Sequence, residues 1–124
     1  RPNVMCGWDA WSPNLEGLSK EEVRQSVLKM KPFIVNTIAA DYVAFPRYHY
    51  DNPLTNYTAD KPVLRATAMG QGIIDYPTFF GALKEIGYRG YIVYEMCEVL
   101  EGGGSVQNLD ATAKKFLDYM KRFE

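Results

Sequence analysis

Cysteine is scarce in this sequence, and an excess of basic residues is missing. Cys6 and Cys97 are the only two cysteines in 124 residues. They form no CxxC pair and are too few for a disulfide framework. Both sit in apolar runs, which predicts buried free thiols and a reducing, cytoplasmic setting. Fourteen Lys and Arg face fifteen Asp and Glu, for a net charge of −1, and no run is strongly basic. A duplex-binding face needs concentrated cations, so this pattern argues against a nucleic-acid partner. No apolar stretch approaches the ~20 residues of a membrane-spanning helix, and no signal-peptide pattern opens the chain. Internal repeats and low-complexity tracts are absent. What is present is the apolar share of a folded domain, 47% of residues against 23% charged, which excludes a disordered chain.

Short β-rich runs alternate with helical patterns. Val4–Trp8 reads as a strand ending at Asp9, followed by a loop from Ala10 to Gly17 around Pro13 and Asn14. Ser19 with Glu22 makes a capping box, Leu18 and Val23 occupy the staple positions, and Val23, Val27 and Met30 continue one helical face. Lys31-Pro32 stops that helix. Phe33–Ile38 is a second strand, apolar enough to be covered on both faces. The aromatic, proline-containing stretch from Asp41 to Met69 reads as a long loop, the kind that is often functional. A second helix starts near Tyr76-Pro77, carries Phe79, Phe80, Leu83 and Ile86, and ends at Gly87 as C′. Tyr91–Tyr94 is a third strand. The last helix places Leu109, Ala113, Phe116, Leu117, Met120 and Phe123 on one side. This alternation predicts βαβ units and a parallel sheet, whose functional residues lie beyond the carboxyl ends of the strands.

Three polar residues mark those strands. Asp9 ends the first, Asn36 interrupts the second and Glu95 ends the third. In a parallel arrangement all three converge on one face. A carboxylate after Tyr-Ile-Val-Tyr is costly to bury unless paired, protonated or bound to a cation; the plainer alternative is a strand-end Glu that reaches water or an Arg. Asp9 equally suits a turn-organising role, and Asn36 a backbone-bonded place in the core. Gly102-Gly103-Gly104-Ser105 before the last helix suits an anion or a polar sugar end, or a flexible connection. Arg47, among tyrosines, suits a clamp on an anionic or hydroxylated ligand, or an exposed stacked position. His49, the only histidine, is by default a surface residue. Gly70-Gln71-Gly72 matches no phosphate-loop pattern.

Taken together, Met69-Gly70-Gln71-Gly72-Ile73-Ile74-Asp75-Tyr76-Pro77, Phe79-Phe80, Ile86-Gly87-Tyr88-Arg89-Gly90-Tyr91, Glu95, the glycine run and Asn108-Leu109-Asp110 resemble the sugar phosphate isomerase/epimerase family. That family belongs to the xylose isomerase-like TIM barrels, which include endonuclease IV. The resemblance covers most of the chain, is most specific over residues 69–110, and is looser over Gly7–Trp11. It implies that residues 1–124 are the C-terminal portion of a (β/α)8 barrel, with three parallel strands matching the sixth to eighth. It implies a divalent metal, Mg²⁺, Mn²⁺ or similar, held by Asp9 and Glu95 with Asn36 at the third position, where the family often has His. Ser12 stands where a His often follows the Asp, and a further Glu ligand belongs upstream of Arg1.

The activity implied is sugar or sugar phosphate isomerisation or epimerisation, by proton transfer next to a carbonyl through an enediolate. Glu95 would be the catalytic acid/base, and Trp11, Arg47, His49, Gly103 and Ser105 the substrate contacts. A whole barrel needs about 250 residues, and three strands leave both sheet edges open. The chain starts with Arg1 rather than Met. The expectation is therefore exposed apolar surface that meets a missing N-terminal half or a second copy. The alternative is a catalytically silent barrel fragment serving as a folding or interaction unit. A DNA-repair role of the endonuclease IV type fits poorly, because that branch uses several histidines on zinc.

Overall fold

The computed structural model describes residues 3–96 and 100–124; Cys97 lies outside them, while Cys6 is a partly buried free thiol. Strand β1 (Cys6–Asp9) leads into a short helix α1 (Trp11–Leu15), where the sequence suggested a loop. Pro13 is tolerated there because a first-turn residue has no intrahelical use for its N–H. Helix α2 (Lys20–Met30) begins at the expected capping box. Ser19 Oγ accepts from the Glu22 amide, and the Glu22 carboxylate accepts from the Ser19 amide at 2.8 Å. Val23 and Val27 are buried, and Lys31 is its C-cap.

Strand β2 (Ile34–Ala39) pairs in parallel with both β1 and β5 (Tyr91–Tyr94), giving the strand order β1-β2-β5. One face of this sheet is the core. Thr37 and Ala39 are fully buried there, and the Thr37 hydroxyl donates to the Trp8 carbonyl at 2.6 Å. Trp8, Ile92 and Tyr94 pack around them. Helix α3 (Tyr76–Glu85) is capped by Asp75 with Pro77 in its first turn, and buries Tyr76, Phe79, Phe80 and Leu83. Gly87, at φ +70°, follows it in the left-handed region that glycine adopts freely. Helix α4 (Val106–Met120) runs into a 3₁₀ turn over 121–123, and its Phe116 ring stacks on Tyr94 with centroids 4.6 Å apart. Leu117, counted in the apolar stripe from spacing, is 62% exposed, and Thr112 is buried instead.

The other sheet face is open. Asn36 and Tyr91 share a register position with Gly7, as do Asp9, Ile38 and Val93, and these residues alternate with the core-facing set. Tyr91 is 84% exposed. β2 is thus covered on one face only, not on both as its composition suggested. The sheet is a mixed α/β arrangement of three parallel strands and does not close into a barrel.

The stretch after β2 is not a loop. Strands β3 (Asp41–Asp51) and β4 (Asn56–Thr67) form an antiparallel hairpin separate from the parallel sheet. Its alternating pattern was masked by two prolines. Pro46 faces the pair Lys61-Pro62 at a bulge, between the register pairs Phe45–Val63 and Arg47–Asp60, and a bulge is one of the few places a strand accepts proline. The turn at 52–55 closes with the Thr55 amide donating to the Asn52 carbonyl at 3.2 Å.

Candidate active site at the carboxyl edge of the parallel sheet

Parallel pairing brings Asp9 and Glu95 to one end and one face of the sheet. Asp9 is level with Ile38 and Val93. Glu95 lies two residues beyond Val93, where its amide donates to the Ala39 carbonyl at 2.9 Å and extends the ladder by one bond. The two residues sit on the outer strands with β2 between them. Strand spacing and rise then put their Cα atoms roughly 12 Å apart, within the combined reach of two carboxylates that lean toward a shared ion. Asn36 shares their face but is level with Gly7 and Tyr91, about 7 Å down the strand from Asp9's level. The structure therefore groups Asp9 with Glu95 and leaves Asn36 below them.

Both carboxylates have local circumstances that bear on their chemistry. Asp9 Oδ1 accepts from the Ser12 amide at 2.8 Å and Oδ2 from the Ser12 hydroxyl at 3.3 Å, so Asp9 also shapes the turn into α1. Glu95 is exposed; the desolvation cost expected for a carboxylate in an apolar run does not arise, because the face it stands on is uncovered. Among the described residues no group of three or more His, Cys, Asp or Glu side chains is placed to hold a metal. Two hard carboxylates suit Mg²⁺, which keeps several waters and takes one or two protein carboxylates, so the donor set fits such an ion with most of its sphere left to water or substrate oxygens.

The proposed substrate contacts are spread out. Trp11 stands two residues past Asp9 and packs edge-on against Tyr42, with ring centroids 6.4 Å apart, forming a wall between the strand end and the hairpin root. Arg47 and His49 lie on the hairpin about 20 Å or more along the strand from its root, and both partner Asp60, at 3.4 Å and 3.0 Å. Among the described residues no hydrogen bond or ion pair joins them to Asp9 or Glu95. Ser105 caps α4 by accepting from the Asn108 amide at 3.3 Å, and the Gly103 carbonyl accepts from Asn108 Nδ2 at 2.6 Å. The glycine loop is held by the chain itself.

Two residues that sequence reasoning passed over hold this region together. Asp41 is buried, and its carboxylate accepts from four amides: Gly70, Gly72, Ile74 and its own neighbour Tyr42, at 2.8, 2.9, 3.3 and 3.0 Å. A Cβ on Gly72 would collide with that carboxylate and with the Tyr42 carbonyl. Gly70-Gln71-Gly72 is thus an amide cradle filled by the protein's own carboxylate. Tyr76, fully buried, bridges Ala40: its hydroxyl accepts from the amide at 2.8 Å and donates to the carbonyl at 2.7 Å. Burial pushes its phenol well above the ordinary tyrosine range, so it serves as a neutral hydrogen-bonding group. The available signal was an Asp directly after an apolar strand and a GxG without a phosphate-loop sequel.

Comparison with protein-family models and with curated proteins gave no match. Among solved structures, an N-terminally His-tagged D-allulose 3-epimerase from Methylomonas sp. matches over 100% of this chain and 38% of its own, with a TM-score of 0.57 and 20% identity. The chain thus spans 38% of the length of that enzyme, and the likeness is one of fold.

Proposed function

We propose that the chain forms the carboxyl-side portion of a metal-assisted sugar or sugar phosphate isomerase/epimerase, completed by further βα units or by association. The observation that carries this reading is the placement of Asp9 and Glu95 at one end of the open face of three parallel strands, in a fold similar to that of a sugar epimerase. Asp9 and Glu95 would hold the ion; when bound, a divalent cation supplies Lewis-acid polarisation of adjacent substrate oxygens. Glu95 would take the proton from the carbon beside the substrate carbonyl, leaving an enediolate, and a second acid/base from outside this chain would deliver a proton to complete the turnover. Trp11 would exclude water from one side.

The test is Mn²⁺ titration calorimetry of the purified protein together with solvent-deuterium incorporation into ketohexoses. Stoichiometric binding that Glu95→Gln weakens at least tenfold, with deuterium incorporation that the same change abolishes, supports the reading. Failure to bind, with no incorporation, overturns it.

A second reading is a catalytically silent folding or interaction unit. It is favoured by the double engagement of Asp9 with Ser12. It expects Asp9→Asn to loosen the β1–α1 turn while leaving Mn²⁺ retention, or its absence, unchanged.

A further inference from the structure

The two carboxylates at the end of the parallel sheet are held in opposite ways. One residue engages both oxygens of Asp9: Oδ1 accepts from the Ser12 amide at 2.8 Å and Oδ2 from the Ser12 hydroxyl at 3.3 Å. Glu95 is tied only through its backbone, whose amide donates to the Ala39 carbonyl. Its side chain is exposed, and among the described residues no hydrogen bond or ion pair reaches its carboxylate. An aspartate side chain turns about two bonds, and a free one visits several staggered orientations. Donors to both of its oxygens fix the plane of the group, and with it the directions of the lone pairs that remain unused.

The segment that presents Ser12 is itself fastened to the body. Ala10 is fully buried, and Trp11 packs on Tyr42. The Ala10 carbonyl accepts from Asn14 Nδ2 at 2.7 Å, and Asn14 Oδ1 accepts from the amide of Asp75, the cap of α3, at 3.2 Å. Ser12 therefore does not follow Asp9 about; it stands on a fixed turn and holds Asp9 to it. A short polar pair at this spacing also serves as a plain turn device, but that use does not exhaust the group. An ionised carboxylate offers about four lone-pair positions. Ser12 takes one on each oxygen and leaves one on each, so the turn and a ligand role are compatible on the same side chain.

We propose that Ser12 is a positioning residue for Asp9, making Asp9 the fixed anchor of the candidate cation site and Glu95 its movable partner; this rests on the catalytic reading above and divides the roles within it. A ligand already in place loses no side-chain freedom when a cation arrives, whereas Glu95 must be ordered at that moment. The same freedom suits Glu95 to the acid/base role, which requires a side chain that can shift between partners. Removing the hydrogen-bonding support of a metal ligand typically weakens metal affinity about 10–100-fold. Substitution of Ser12 removes only the hydroxyl bond and leaves the amide bond, so the expected loss lies at the lower end of that range.

Two measurements on the purified protein test this, each on the parent, Ser12→Ala and Ser12→Thr. Without metal, three-bond scalar couplings report the Cα–Cβ rotamers of Asp9 and Glu95. The expected result is a single Asp9 rotamer in the parent and in Ser12→Thr, averaging in Ser12→Ala, and averaging at Glu95 in all three. With Mn²⁺, the electron paramagnetic resonance signal of the free ion gives the affinity, expected to fall about tenfold in Ser12→Ala and to stay within about twofold of the parent in Ser12→Thr, which keeps the hydroxyl. Thermal unfolding of the three proteins should coincide. An Asp9 side chain already averaged in the parent overturns the positioning role whatever the metal does. So does an affinity indifferent to Ser12→Ala, or one lost equally in Ser12→Thr, since either leaves the hydroxyl without a part; in these cases the catalytic reading stands. A parent with a fixed Asp9 that binds no Mn²⁺ overturns the catalytic reading, and the anchor role with it.

Discussion

The parallel sheet with its helices and the β3–β4 hairpin are built by opposite means. In the first, stability comes from large side chains removed from water: Tyr76, Phe79, Val23 and Val27 are fully buried, with Phe80 and Leu83 close behind. In the second, most residues keep their solvent, and the ribbon is held by its own ladder and by what happens at its root. The lesson is that strand length says little about local stability. The eleven-residue β3 is expected to open far more readily than the four-residue β5, because amide protection follows buried apolar contact rather than ladder length.

This contrast can be broken most forcefully in the body. Phe79→Ala removes a fully buried ring that meets both Tyr76 and Phe80, and should cost about 3–5 kcal/mol in urea or thermal unfolding. Asp41→Ala, at the junction of the two regions, strands three loop amides and should cost about 3 kcal/mol. Hydrogen exchange should show that loss concentrated in residues 68–75 and the hairpin root. Ser105→Ala removes the α4 cap and should cost about 1 kcal/mol. Tyr50→Ala, on the arm, should change unfolding free energy by no more than about 0.5 kcal/mol at low protein concentration. A cost as large as that of Phe79→Ala would mean that the arm is buried in solution.

The smallest effect is a pH dependence. Partial burial pushes the Asp75 carboxyl up, but the Thr78 hydroxyl and amide and the Lys20 ammonium outweigh it and hold Asp75 below the ordinary aspartate value of 3.8. A carboxyl depressed in the folded state contributes stability that is present above its unfolded value and is lost as pH falls through its folded one. Acid unfolding followed below pH 3.8 should therefore be shallower in Asp75→Asn than in the parent.

Much of the body was legible because its signals are local. The Ser19–Glu22 box, Pro77 in the first turn of α3, Gly87 after its end and the apolar run Tyr91–Tyr94 each state an element within a few residues, and β2 announces a parallel strand by composition. The hairpin was not legible, since Pro46 and Pro62 read as breakers until a bulge gives them a place. The short helix α1 was hidden by Pro13 in the same way. At the candidate site, the shared end of Asp9 and Glu95 followed from parallel order alone, but the lower position of Asn36 depends on register, which no spacing along one strand reveals. Asp41 and Tyr76 were missed because each acts on backbone groups distant in sequence, Asp41 on Gly70, Gly72 and Ile74, and Tyr76 on Ala40. Asp60, the partner of Arg47 and His49, was missed because the pairing depends on the hairpin register.

The bond pair between Tyr76 and Ala40 has a practical corollary. It ties Ala40, the residue between β2 and β3, to α3 through both its amide and its carbonyl, so the root of the ribbon is fixed to the folded body. The tip at 52–55, about 35 Å of strand away, is consequently a natural grafting point: a fluorophore or peptide epitope installed there would ride outside the folded body and leave its melting temperature untouched.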